Sequence, residues 1–337
     1  MQFIHQIIRP WIRHELPGWG KLYSRFIEGP RYRERWGEEG RRIIRGKLHG
    51  YTMELDLGQW SDRLTYFLGR FYDQEMQLLA IGVLQPGDRF VDVGANVGMV
   101  SLLAASRVGA TGLVDSVEPN PTCVERLRSA VDRNHISHLH VHPCAAADVE
   151  TEMTLFIPKF SGEEASLAAF DVAENDDRYE RVCVKVRPVE AMLAHDPRPP
   201  ILVKIDVEGY ECSAVRGMAD MLRQARPLVA TEIAADHLGR AGCTPADLIS
   251  LMKSLGYTGW TIGSQRAGIE REFNLTTIDP SATFYNALWI PTGGPGLARF
   301  NESFPDLARR IGTVPPVPAD SFARPRTSPQ GSVSQLN

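Results

Sequence analysis

Apolar residues fall in short blocks along most of the chain, and their spacing alternates between strand-like and helix-like periods. Tyr51 to Leu57 alternates as a strand, and Leu64 to Leu84 carries one apolar helical face. After the turn Pro86-Gly87-Asp88 a βαβ rhythm sets in. The pattern predicts strands at 89–93, 112–117 and 139–144, separated by helices at 97–107 and 122–133. Thr154 to Ile157 and Val182 to Val186 read as inserted strands. Ile201 to Ile205 is apolar apart from Lys204, as befits a central parallel strand covered on both faces. A helix, a strand at 228–233 and a further helix follow, and 257–262 with 283–290 form an antiparallel pair. Strands that alternate with helices imply an α/β fold, a doubly wound and mostly parallel sheet with helices on both faces.

The two ends depart from this rhythm. The first 47 of the 337 residues hold eleven Lys/Arg against five acids, although the chain as a whole carries a net charge of −4. Phe3, Ile4, Ile7, Ile8, Trp11 and Ile12 recur at helical spacing, interrupted by Pro10, which lacks an amide donor. Residues 1–50 are therefore read as a basic extension, docked or frayed; contact with an anionic membrane surface or a partner is the alternative. Residues 51–292 form the folded domain. From 293 to 337 the chain is Gly/Pro-rich and then Pro/Ser-rich, the composition of a largely disordered tail. The acidic balance argues against nucleic acid as a partner. No stretch reads as a signal peptide or membrane span, so the expectation is a cytoplasmic protein. Its five cysteines are odd in number and lack CxxC pairs, which predicts free thiols rather than a disulfide framework or zinc site.

Three motifs carry chemistry. DVGANVG at 92–98 links a strand to a helix, at the carboxyl end of the sheet where ligands of such folds bind. Gly94 and Gly98 admit close backbone approach, and Ala95 and Asn96 complete the turn, with Asn suited to a left-handed conformation. Asp92 sets a carboxylate at the strand end. That suits a cationic amino group better than a pyrophosphate, and the glycine spacing differs from the dinucleotide GxGxxG. The loop thus favours S-adenosylmethionine over NAD. Glu118, followed by Pro119, ends the second strand, where a carboxylate accepts both ribose hydroxyls of an adenosine. The end of the third strand, Cys144 and Ala145, is expected beside the adenine. Asp148 is either an acceptor for its amino group or a turn acid. In LVKIDVEGYE at 202–211 a buried strand runs into Asp206, Glu208 and Glu211, and Glu232 ends the next strand on the same rim.

Together, DVGANVG, VEP and LVKIDVEGYE, preceded by FLGRFYDQEMQLL at 67–79, resemble the FkbM-type methyltransferases over roughly residues 51 to 290. Where that family commonly has Tyr-Glu, this chain has Tyr72-Asp73. The resemblance implies a Rossmann-like seven-stranded sheet of the class I methyltransferase type. It also implies S-adenosylmethionine as donor and O-methylation of a hydroxyl, often on a sugar of a glycan or natural product.

A sugar hydroxyl needs a base. Asp206, Glu208, Glu232 and His237 stand on the right rim, with Glu208 the first choice because Asp206 lies toward the cofactor. No resident metal is expected. Mg²⁺ on Asp206, Glu208 and Glu232 is the alternative use of those acids. His138, His140 and His142 alternate and are read as a polar strand face rather than zinc ligands. The segment 156–179 is a candidate lid or acceptor loop, and 263–279 either shapes the acceptor pocket or joins a homodimer. An NAD-dependent oxidoreductase lacks its glycine spacing here, and a nucleic-acid methyltransferase lacks its NPPY-like motif. A non-catalytic nucleotide-binding module would not need these glycines and acids intact.

Overall fold

The computed structural model describes residues 2–28, 36–159, 165–167, 177–267, 270–279 and 281–313. Thirteen strands are described, in chain order: β1 (Arg41–Arg45), β2 (Thr52–Asp56), β3 (Arg89–Val93), β4 (Leu113–Val117), β5 (Leu139–His142), β6 (Ala145–Ala146), β7 (Thr151–Pro158), β8 (Tyr179–Arg187), β9 (Leu202–Ile205), β10 (Leu228–Ala234), β11 (Tyr257–Ala267), β12 (Glu270–Thr276) and β13 (Phe284–Pro291). The helices that position the site are α1 (Gln2–Arg13), α2 (Trp60–Leu68), α3 (Gln74–Val83), α4 (Met99–Val108), α5 (Pro121–Arg133), α6 (Val189–Leu193), α7 (Glu211–Arg216) and α8 (Ala235–Arg240).

The main sheet has the order β12-β11-β13-β10-β9-β3-β4-β5. The five strands from β10 to β5 run parallel, and β13, β11 and β12 add antiparallel. Every residue of β3 and β4 is buried, because apolar clusters cover both faces. One is built on Phe90, Leu102 and Leu103, the other on Val91, Val203 and Trp289. The sheet has eight strands where seven were expected. Of residues 263–279, those as far as Ala267 belong to β11, and Glu270–Thr276 form the edge strand β12. Its Leu275 is buried in the core, with Phe273 packed against the same cluster. A separate sheet, β6-β8-β7, is built by the inserted strands.

Other boundaries differ for local reasons. The helix expected over 64–84 is two helices, α2 and α3. Gly69 ends the first in the left-handed region (φ 71°), and Asp73 caps the second by accepting from Met76 N at 2.9 Å. The N-terminal extension is docked, and it holds a strand that the sequence reading omits, β1, paired with β2. Its helix α1 runs through Pro10. Ile12, Tyr23, Ile27 and Trp36 pack with Phe67 and Leu68 in a cluster of their own. Buried Arg70 clamps Glu15 at 2.7 and 2.9 Å. Ile7 and Trp11 remain exposed. The tail also starts later than expected: helices at Pro295–Ser303 and Pro305–Arg310 bury Phe300 and Ala308 in the core. Residues 314–337 lie outside the described residues. Among the described residues, no helix is long and apolar enough to cross a membrane.

The expectation of five free thiols needs correction. Cys212 of α7 and Cys243, just beyond α8, are disulfide-bonded, while Cys123, Cys144 and Cys183 are free. Spacing alone had no means of showing this, since 31 residues separate the pair and only the packing of α7 beside the end of α8 joins them.

Candidate active site

A cavity of about 300 Å³ opens at the carboxyl ends of β3, β4, β9 and β10. Of the residues singled out from sequence, Gly94, Ala95, Asn96, Glu118, Pro119, Ala145, Asp206, Glu208, Glu232 and His237 line it. Asp92, Gly98 and Asp148 do not.

The floor is built around a buried lysine. Parallel pairing sets Lys204 of β9 opposite Asp92 of β3. Its ammonium donates to Gly94 O at 3.0 Å and lies 3.3 Å from both Asp92 Oδ1 and Asp206 Oδ2. Burial alone would lower the lysine's pKa, but the charges of Asp206 and Asp92 outweigh it and push it well above the ordinary value. Asp92 is fully buried, and its other oxygen accepts from Ser101 Oγ at 2.6 Å. The carboxylate expected to meet a ligand's amino group is thus spent on Lys204 and Ser101, and Asp206 is the one that reaches the cavity.

The glycine loop has the expected left-handed turns, with φ 77° at Gly94, 51° at Asn96 and 84° at Gly98. Their physical causes differ. A Cβ on Gly94 would stand 1.7 Å from Asp206 O, so this glycine lets the β3 and β9 loops touch. At Gly98 the obstruction would be Leu127 Cδ1 at 2.2 Å, so Gly98 serves the packing of α4 on α5 rather than ligand approach. Asp148 accepts from Ser213 Oγ at 2.6 Å and does not line the cavity.

Glu118 is held by two backbone donors, Asn96 N at 2.7 Å and Asn120 N at 2.8 Å, one to each oxygen. Each oxygen keeps a second lone pair for a ligand. Burial pushes the carboxyl up to about 7 against the pull of those two amides.

On the opposite rim, His237 Nδ1 sits 2.8 Å from Glu208 Oε2. Glu208 itself is left-handed (φ 54°), and a Cβ on Gly209 would lie 2.3 Å from His237 O, so the β9–α7 loop presses against α8. Glu211 turns inward, where its carboxylate accepts from Val207 N at 3.1 Å and Gly209 N at 3.3 Å and so braces the loop. Glu232 is pushed up to about 9, first by burial and then by repulsion from Asp206, Glu208 and Glu211. It is therefore a neutral acid near pH 7, and so a proton donor to a hydrogen bond rather than a base. Ligand atoms of Glu208, Glu232 and His237 lie within 4.8 Å of one another, and Asp206 of the alternative metal set is not among them.

Several lining residues lacked any local signal in the sequence. Trp60, Tyr72 and Phe284 stand at the cavity with 43%, 39% and 63% exposure, and Trp60 and Tyr72 have ring centroids 4.8 Å apart. From the insert, Ala165 and Leu167 line the cavity, and Ser166 Oγ donates to Glu208 O at 2.9 Å. Residues 160–164 and 168–176 of that candidate lid lie outside the described residues.

Residues 92–258 match the model of the Methyltransferase FkbM domain. No curated protein matches the chain. Similar solved structures include a precorrin-6Y C5,15-methyltransferase from Geobacter metallireducens GS-15, at 13% identity and TM-score 0.36, covering 65% of this chain and 88% of that one. Another is the methyltransferase FkbM from Methylobacillus flagellatus KT, at 16% identity and TM-score 0.36, covering 80% of this chain and 60% of that one. A third is a SAM-dependent O-methyltransferase from Thermotoga maritima, at 12% identity and TM-score 0.37, covering 74% and 85%. From Asp92 in the glycine loop to Thr258 in β11, this chain carries a methyltransferase domain of the FkbM family.

Proposed function

We propose that the protein transfers a methyl group from S-adenosylmethionine to a hydroxyl of a carbohydrate. The observation that carries this reading is the pairing of His237 with Glu208 across the cavity from Glu118. Bound there, S-adenosylmethionine would supply an electrophilic methyl on a sulfonium. Glu118 suits its ribose, because both carboxylate oxygens are fixed by backbone amides and still have lone pairs for two hydroxyls. Asp206, rather than Asp92, is the acid available to its amino group.

A neutral hydroxyl must lose its proton as it attacks. His237 Nδ1 lies 2.8 Å from Glu208 Oε2, so a ring that carries its proton on Nδ1 would face that carboxylate and would accept the acceptor's proton on Nε2. Glu208, the first choice of base from sequence, then acts through His237 by orienting it and stabilising the imidazolium. The exposed rings of Trp60, Tyr72 and Phe284 offer flat apolar surfaces on which the apolar face of a pyranose can stack.

The test is methyl transfer from labelled S-adenosylmethionine to a panel of sugars and glycans, with Glu208→Gln and His237→Ala beside the wild type. Turnover should fall by roughly 10²–10⁴ in both variants while cofactor affinity stays within about threefold. Full turnover in both would remove the pair from the reaction. Methylation of amines but no hydroxyls would overturn the acceptor class.

A further inference from the structure

We propose that Asp115, His142 and His195 form a metal site, outside the catalytic cavity, suited to one zinc ion with water as its fourth ligand. The register of β4 and β5 sets Asp115 opposite His140 and Val117 opposite His142, so the three polar side chains share one face. His195 arrives from the far side of the chain, two residues beyond α6. His138, expected on the same face, precedes β5 and instead contacts Ala105 O at 2.9 Å.

The donor atoms converge. Asp115 Oδ1 is 2.8 Å from His142 Nε2 and 3.4 Å from His195 Nε2. His195 Nε2 is in turn 3.1 Å from His140 Nδ1. Bonds of about 2.0–2.1 Å around tetrahedral zinc put neighbouring ligand atoms about 3.3 Å apart, near the separations of Asp115 Oδ1 from His142 and His195, while His140 stands beside His195 outside the converging set. His195 Nδ1 donates to Met192 O at 3.1 Å, so the neutral ring carries its proton there and a lone pair on Nε2. That lone pair faces a carboxylate oxygen, an arrangement a cation between them would satisfy.

The surroundings are built for the same purpose. Asp115 is fully buried, and its second oxygen accepts from Arg89 Nε at 2.8 Å. Arg89 also donates to the carbonyls of Leu193, Asp196 and Arg198, and so fixes both the carboxylate and the loop that carries His195. Such outer hydrogen bonds orient metal ligands. Two imidazoles and one carboxylate suit zinc, whereas magnesium and calcium prefer oxygen donors alone. The histidines are partly exposed, which leaves a path for entry. A zinc ion here would tie the edge strand β5 to the α6–β9 connection.

The experiment uses the untagged full chain, stripped with a chelator and titrated with cobalt(II) and then zinc. Wild type should bind one equivalent of cobalt with the intense visible absorption of a four-coordinate ion, displaced by zinc. His142→Ala and His195→Ala should weaken zinc binding by roughly a hundredfold or more while remaining folded by circular dichroism. Glu232→Gln should leave it intact. Absence of stoichiometric binding at micromolar zinc would overturn the proposal. So would binding that survives both histidine variants, or that Glu232→Gln abolishes, since the ion would then lie in the catalytic cavity.

Discussion

Replacing Lys204 by methionine tests the electrostatic design of the cavity floor. The substitution keeps the stem but removes the charge that lies between Asp92 and Asp206, 3.3 Å from each. Asp206 is partly exposed and can turn to water; Asp92 is fully buried and cannot. Removing one partner of a buried pair costs about 3–5 kcal/mol. The loss has a ceiling, because Asp92 can take up a proton instead. Holding a carboxyl of ordinary pKa protonated at pH 7 costs about 4 kcal/mol, so the expected loss is about 3–4 kcal/mol. That ceiling depends on pH. In the variant the folded state would bind one more proton than the unfolded state, so its stability rises as the pH falls. At pH 5.5 the ceiling drops to about 2 kcal/mol. Urea unfolding of both proteins at the two pH values measures the difference directly. A loss below about 1 kcal/mol, or an equal loss at both pH values, would refute the argument that Lys204 neutralises Asp92.

Three further outcomes follow from the same geometry. Gly94→Ala must hold a side chain at φ 77° with its Cβ against Asp206 O, so cofactor affinity or turnover should fall at least tenfold, and unchanged kinetics would contradict the close approach. Glu232→Gln should stabilise the protein at pH 8 and lose that gain as the pH falls toward 4.5. The native carboxyl, raised to about 9, binds a proton that the unfolded chain releases above that pH; thermal melts across the range check the sign. Reducing Cys212–Cys243, or replacing both by serine, frees a loop spanning 31 residues and should cost about 3–4 kcal/mol, read by denaturant unfolding with and without reductant.

The sequence revealed features that have a local cause. Strands covered on both faces are mostly apolar, and so β3, β4, β9 and β10 stood out despite the charged residues they carry. The loop at 92–98 and the strand-end acid Glu118 were legible because tight turns demand glycine or asparagine, and because a carboxylate after a buried strand is costly without a use. What stayed hidden depends on register and on distant contacts. Asp92 looked available at a strand end, but only the β3–β9 pairing shows Lys204 beside it. The break between α2 and α3 was written in Gly69 and Asp73, yet continuous apolar spacing masked it. The neighbour of Glu208 was hidden too, because α8 brings His237 to it from 29 residues away. The aromatic rim joins residues from α2, the α2–α3 connection and β13, and no window of sequence contains all three.

Isothermal titration of the purified protein with S-adenosylmethionine and, separately, with NAD, using wild type and Glu118→Ala, bears most directly on the central claim. Wild type should bind S-adenosylmethionine with micromolar affinity, Glu118→Ala should lose roughly a hundredfold as the two ribose contacts disappear, and NAD should not bind. A well-folded wild type that ignores S-adenosylmethionine or prefers NAD would contradict it.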